Sequence, residues 1–399
     1  MAAQGAAMSP AGSPRPPIWS RNFILLSLSN ALLFAGFHLL LPTLPLFAAA
    51  YGASPTEIGL IVGGFTFSAI GVRPFTAAGI GRWGRSRFLR LGLAVCILSM
   101  AGYYFTAQAA TTLAVRLAHG LGFGIASTLY AALAAELIPA GRRGEGMGYF
   151  GLGTTFMMAL APLAGLWLYE VLRPEGLFAG GVAMQALALA ILWAVPFRDG
   201  ADAPAAGEAL PPFPLRRVLA PCSLSLLLGI CMGGVMSFIV LLAKERQFAD
   251  PGLFFFTSTM FVFVVRTFSG RLYDRLGAPW VIAPAALAVF IAMLGLASGD
   301  MPLLAAAAFY GAGLGALFPA MQTWMLQLAP HGRQVTASAR YYNAVDVGVG
   351  GGSIVLGFIA EGHSYAVVYL ATSAISLAFL GGYLAYTWLR PRPQSTALK

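Results

Sequence analysis

Val72-Arg73-Pro74-Phe75-Thr76, followed by Arg82 and Gly84, returns 193 residues later as Val265-Arg266-Thr267-Phe268-Ser269, followed by Arg275 and Gly277. A second set, Gly120, Gly122, Gly124, Pro139, Gly141 and Arg142, recurs 191 residues on as Gly311, Gly313, Gly315, Pro330, Gly332 and Arg333. Offsets this close to half the chain length mean that one architecture has been written twice. Repeats of this kind mark secondary transporters, in which two similar bundles rock about a site near the bilayer midplane.

The composition between the repeats says where they sit. Of 399 residues, 58% are hydrophobic and only 10% charged, whereas soluble domains carry about 25% charged residues. A helix needs roughly 20 apolar residues to cross about 30 Å of hydrocarbon, and lipid offers its backbone no other partners. Twelve such runs are found, the first over 22–49, the fifth and sixth over 147–169 and 177–197, and the last over 365–389. The expected fold is an all-α membrane protein of twelve transmembrane helices in two pseudo-symmetric six-helix bundles. The bundles span 21–197 and 217–389, joined by a Pro- and Ala-rich cytoplasmic linker at 198–216 and flanked by cytoplasmic tails at 1–20 and 390–399. The first twenty residues lack the apolar core of a signal peptide.

A net charge of +10 raises the question of nucleic acid, but the arginines fall in short clusters between apolar runs and only two basic residues are lysine. That distribution excludes a nucleic-acid face and fits the positive-inside rule. Inner loops hold Arg82, Arg85, Arg87, Arg142, Arg143, Arg198, Arg271, Arg275 and Arg333, with Arg390, Arg392 and Lys399 in the tail; outer loops hold Arg173, Lys244 and Arg246. Both termini are therefore expected in the cytoplasm, with the chain in the cell membrane. Cys96, Cys222 and Cys231 read as small core residues, the last two lying nine apart on one helix and too distant for a disulfide. No metal site, cofactor or enzymatic constellation is expected.

Gly270, Asp274, Arg275 and Gly277 match the Gly-x-x-x-Asp-Arg-x-Gly loop of the major facilitator superfamily, which this chain resembles over nearly its whole length. In the first half Ala77 and Gly81 replace the glycine and the aspartate, while Arg82, Gly84 and Arg85 remain. The resemblance implies a cytoplasmic gate in which a glycine lets helices approach and a carboxylate and arginine clamp them. Arg73, Arg82, Arg266, Gly270, Asp274, Arg275 and Gly277 are its candidates; a solvated turn is the alternative for Asp274 and Arg275. The stretch from Arg116 to Gly122, with His119, resembles the family's Arg-x-x-Gln-Gly-x-Gly motif, linked to proton transfer in proton-coupled members. Gly148, Ala161, Pro162 and Gly165 resemble a degraded form of the antiporters' fifth-helix motif, which implies export. Leu44-Pro45, Gly52-Ala53-Ser54, Ile58-Gly59, Arg73-Pro74, Arg116 with Gly120, and Arg143-Gly144-Glu145-Gly146 resemble exporters of staphylopine-type opine metallophores. They also resemble general efflux permeases, and a proton-coupled nutrient symporter would use the same fold.

Ionisable groups at membrane depth cost about 2.5–3.5 kcal/mol on insertion scales, so each is a functional candidate. Asp346 is the only carboxylate deep in any predicted span and is the first candidate for a proton carrier, the alternative being a hydrogen-bonded tie between helices. Arg116 and His119, three apart on one helix face, could share a proton or an anion, with Arg116 clamping a substrate carboxylate. The alternative for Arg116 is a cap on backbone carbonyls. His38 precedes Pro42 and Pro45, where a helix break would expose backbone to a site; a satisfied core histidine is the alternative. Glu136, near the inner end of the fourth span and close to Arg142 and Arg143, is expected to be a cytoplasmic ion-pair partner, the alternative being a proton relay. The glycine triplets Gly120, Gly122, Gly124 and Gly311, Gly313, Gly315, and likewise Pro162 and Gly165, are read as helix-packing or hinge positions. The expected partners are a small-molecule substrate, in the most specific reading a carboxylate-rich metallophore, together with protons and the lipid bilayer.

Overall fold

The computed structural model describes residues 17–139, 142–196, 213–248, 251–330 and 333–389. Most of the expected linker (197–212), the tail residues 1–16 and 390–399, and the motif glycines Gly141 and Gly332 lie outside the described residues, as do the side chains of Ala77, Gly81, Arg143, Gly144, Glu145 and Gly148.

Eleven long helices are present among the described residues: α1 (Arg21–Ala50), α2 (Pro55–Trp83), α3 (Arg85–Gly102), α4 (Ala109–Leu137), α5 (Arg143–Trp193), α6 (Leu219–Glu245), α7 (Gly252–Leu276), α8 (Pro279–Ser298), α9 (Leu303–Gln327), α10 (Gln334–Glu361) and α11 (Tyr365–Leu389). The count of twelve spans holds because α5 is two spans. Its 51 residues contain one non-helical residue, Arg173 (φ 61°, ψ −177°), followed by Pro174. A straight helix of that length would be about 75 Å long, more than twice the hydrocarbon thickness. Arg173 lies in the loop expected between the fifth and sixth spans.

Local chemistry sets several ends. Ser20 caps α1 by accepting from the Phe23 amide at 3.2 Å. Ser54 and Glu57 form a reciprocal capping box at α2, satisfying two otherwise unpaired donors. Gly84 (φ 78°) and Gly277 (φ 88°) end α2 and α7. They are repeat counterparts, and both need the positive φ that glycine adopts without a Cβ clash.

The glycine triplets pack as the repeat demands. Gly120 and Gly124 of α4 lie against Phe65 and Ala69 of α2, and Gly122 lies against Gly92 and Cys96 of α3. In the second half Gly311 and Gly315 of α9 meet Ser258 and Val262 of α7, and Gly313 meets Ala285 of α8. A Cβ on Gly122 would lie 2.7 Å from the Gly92 carbonyl, and one on Gly313 would lie 2.7 Å from that of Ala285. Small residues therefore let helix backbones touch where lipid supplies no hydrophobic drive.

One expectation changes. The helix does not break at Pro42 or Pro45; α1 runs through both, with His38 and Leu41, whose carbonyls lose their usual amide donors to the prolines, buried away from lipid, and membrane helices tolerate proline in such surroundings. Glu136 pairs with Arg85 across α4 and α3, a partner on the preceding span that the fold brings to the same bundle end.

Candidate transport site

The helices alternate direction. One end of the bundle carries the start of α1 and the loops with Arg82, Arg85, Arg142, Arg275 and Arg333; the opposite end carries the α1–α2 and α10–α11 turns. At that opposite end the halves are sealed along α2 and α10. Gly59 and Gly63 of α2 face the Ser353 and Gly350 backbones of α10, and Gly357 faces Pro55. The Thr56 amide donates to the Glu361 carboxylate at 3.0 Å, so a side chain of one half caps the first turn of a helix in the other.

Nearer the arginine-rich end the halves part. A cavity of about 650 Å³ is lined on one side by Met147, Tyr149, Gly151, Leu152, Thr154 and Thr155 of α5. Its other side is formed by Val262, Phe263, Arg266 and Thr267 of α7. Across the other junction of the halves, Arg73 of α2 donates to Asp346 of α10 at 2.9 Å, with both side chains about one-third exposed. Two residues singled out separately, one as a gate candidate and one as a proton carrier, thus form a single pair.

His38 lies deeper, lining a narrow void between the halves with Met158, Pro162, Met232, Tyr310 and Leu314. Gly165 packs against the Leu39 backbone, which fixes α1 on α5 beside that void. His38 is buried, and its Nδ1 has no hydrogen-bond partner among the described residues.

Arg116 and His119 do come together, but away from both spaces. Arg116 is 1% exposed and His119 fully buried. The guanidinium lies 4.2 Å from the Phe65 ring centre, and its Nε and Nη1 have no hydrogen-bond partner among the described residues. His119 meets Tyr103 Oη at 3.3 Å and Gln185 Nε2 at 3.4 Å. Phe37, Phe65 and Phe123 form an aromatic layer, with centroids 4.8–5.3 Å apart, beside Arg116 and His119, and Phe37 also touches His38. A stacked cation is stabilised by the ring faces, by about 2 kcal/mol when desolvated. Tyr103 and Gln185 are members of this cluster that sequence reading passed over; their signal was a glutamine and a tyrosine inside apolar runs. Arg82, Gly270, Asp274 and Arg275 are exposed at the arginine-rich end, and no clamp between them is formed among the described residues.

Among the described residues, no group of three or more His, Cys, Asp or Glu side chains is placed to hold a metal ion. The arrangement is a membrane-embedded cavity between two related bundles, with a charge pair bridging them.

Comparison with known proteins agrees. The Major Facilitator Superfamily profile matches residues 26–297 and 222–399, covering both halves. A staphylopine export protein of Staphylococcus aureus is 21% identical over 378 residues, covering 90% of this chain and 94% of that protein. The quinolone resistance protein NorA of the same species is 22% identical over 174 residues, 43% of this chain and 45% of NorA. The crystal structure of the nucleoside transporter NupG superposes with a TM-score of 0.76 at 16% identity, covering 93% of this chain and all of that one. With its twelve spans, its twofold internal repeat and a family profile matched across both halves, this chain is a multi-pass membrane transporter and not an enzyme, and it belongs to the Major Facilitator Superfamily.

Proposed function

We propose that this chain is a proton-coupled exporter that works by alternating access, with an opine-type, carboxylate-rich metallophore as its cargo. The observation that carries the coupling is the Arg73–Asp346 pair. It joins the two halves at the cavity level, and Asp346 is the acidic member. Taking up one proton removes one charge from the pair, so protonation and movement of the halves can be linked through a single group. With the arginine-rich end in the cytoplasm, the cavity faces the interior and is positioned to load cargo there. An inside-negative potential of about 100 mV would favour outward movement of an anion by about 2.3 kcal/mol per charge. The likeness to a staphylopine export protein over nearly its whole length supports this direction and cargo.

A second reading, general efflux of lipophilic compounds, is favoured by the methionines Met158, Met232 and Met236 around the central void, since thioether chains adapt to varied shapes. Mass spectrometry of medium and cells from strains with and without the gene, under metal starvation, separates the two. Retention of a carboxylate-rich chelator in the deletion strain, with loss from the medium, is expected. Unchanged chelator with altered retention of lipophilic drugs would overturn the metallophore reading.

A further inference from the structure

The internal repeat makes the two junctions between the halves comparable position by position. Arg73 of α2 and Arg266 of α7 are counterparts in the first repeat set. The second set aligns Arg142 with Arg333, at the starts of α5 and α10. Counting forward by equal steps from those two arginines, Thr155 of α5 and Asp346 of α10 fall at the same position. The α2–α10 junction therefore places an arginine opposite an aspartate, and the α5–α7 junction places an arginine opposite a threonine.

The structure bears out the correspondence. Arg73 meets Asp346, while Arg266, Thr154 and Thr155 line one cavity of about 650 Å³. The two threonine hydroxyls donate to the Gly151 carbonyl at 2.7 and 3.1 Å, and either can rotate to donate to a ligand. Arg266 is exposed to the cavity and has no acidic partner among the described residues. A guanidinium fork and hydroxyl donors lining one cavity are the groups that bind a carboxylate.

We propose that Arg266 with Thr154 and Thr155 forms an oxyanion subsite that takes a carboxylate of the transported solute, the role that Asp346 plays internally at the other junction. One arginine is neutralised by the protein and its counterpart by the cargo. The identity of the ligand as cargo rests on the exporter reading; the charge imbalance between the junctions does not.

The test uses the full chain in phosphatidylcholine nanodiscs and equilibrium dialysis with labelled iminodiacetate, the secondary-amine dicarboxylate core of an opine, and with its neutral diamide. Wild type is expected to prefer the diacid on the order of tenfold, the scale of one charge-assisted hydrogen-bonded pair. Arg266→Gln removes the preference, and Thr155→Asp removes it by installing the carboxylate that the repeat omits; Arg266→Lys retains part of it. Monodisperse elution of each variant checks the fold, and Arg266→Gln suffices should Thr155→Asp fail that check. Equal binding of diacid and diamide by wild type, or an unchanged preference in Arg266→Gln, would overturn the subsite and leave the exporter reading to the cellular assay. Replacing one-third of the lipid by phosphatidylglycerol distinguishes the source of the anion. Unchanged diacid binding supports cargo, and its loss overturns the assignment to cargo in favour of a lipid phosphate.

Discussion

Replacing Gly59 and Gly63 together by alanine should prise open the sealed end of the transporter. A Cβ on Gly59 would lie 3.1 Å from the Ser353 carbonyl carbon and 3.3 Å from Ile354 Cα. One on Gly63 would lie 3.2 Å from the Gly350 carbonyl carbon and 2.9 Å from Ile354 Cγ1. Favourable carbon contacts lie at about 3.5–4.0 Å, and most of these neighbours are backbone that cannot rotate aside. Overpacking of this size costs about 1–3 kcal/mol, and the cost falls only on the state in which α2 and α10 touch. At about 1.4 kcal/mol per tenfold, the equilibrium moves roughly 5- to 150-fold toward the state open at that end. Thr56→Cys at the mouth reports the shift through its labelling by a membrane-impermeant maleimide. The native cysteines contribute little, being buried or half-buried within spans. Gly71→Ala on the same helix, with nothing within 4 Å of its Cβ, is the silent control. An unchanged labelling rate in the double variant would refute the claim that this glycine seam is what closes the end.

Three further outcomes are expected. Glu361→Gln weakens the bond to the Thr56 amide and should raise Thr56→Cys labelling by less than the glycine pair does. Arg173→Gly relieves a backbone conformation that glycine alone adopts freely and should raise thermal stability by about 1 kcal/mol, while Arg173→Val lowers it. Tyr130→Phe removes the buried bond to Ser29, which keeps its bond to the Ala188 carbonyl at 2.6 Å; a loss of about 0.6–1.5 kcal/mol is expected with transport retained.

The fold was legible because its two strongest signals are chemical necessities. Apolar runs must become helices in lipid, and glycines at repeat-related positions mark helix contacts that recur in both halves. Even the fusion of two spans in α5 left the reading intact, since Arg173 and Pro174 sit where the loop was placed. Individual side-chain partners were less legible, because they depend on which helices become neighbours. Glu136 pairs with Arg85 on the preceding span, a partner that its place near the end of an apolar run did not name. Asp346 was singled out by its depth in an apolar run, but its pairing with Arg73, in the other half of the chain, follows from the packing of α2 on α10. Arg116, His119 and His38 were grouped by polarity; the structure gathers the first two with Tyr103 and Gln185, with His38 across a layer of phenylalanines.

Proton coupling through Asp346 is tested most directly by flux into proteoliposomes under an imposed pH gradient, with an opine-type dicarboxylate as solute. An acid lumen should drive accumulation by wild type as protons leave, and Asp346→Asn should retain exchange of solute at equal pH while losing the response to the gradient. Accumulation driven equally well in Asp346→Asn, or driven only when the acid side is outside, would contradict proton-coupled export through the Arg73–Asp346 pair.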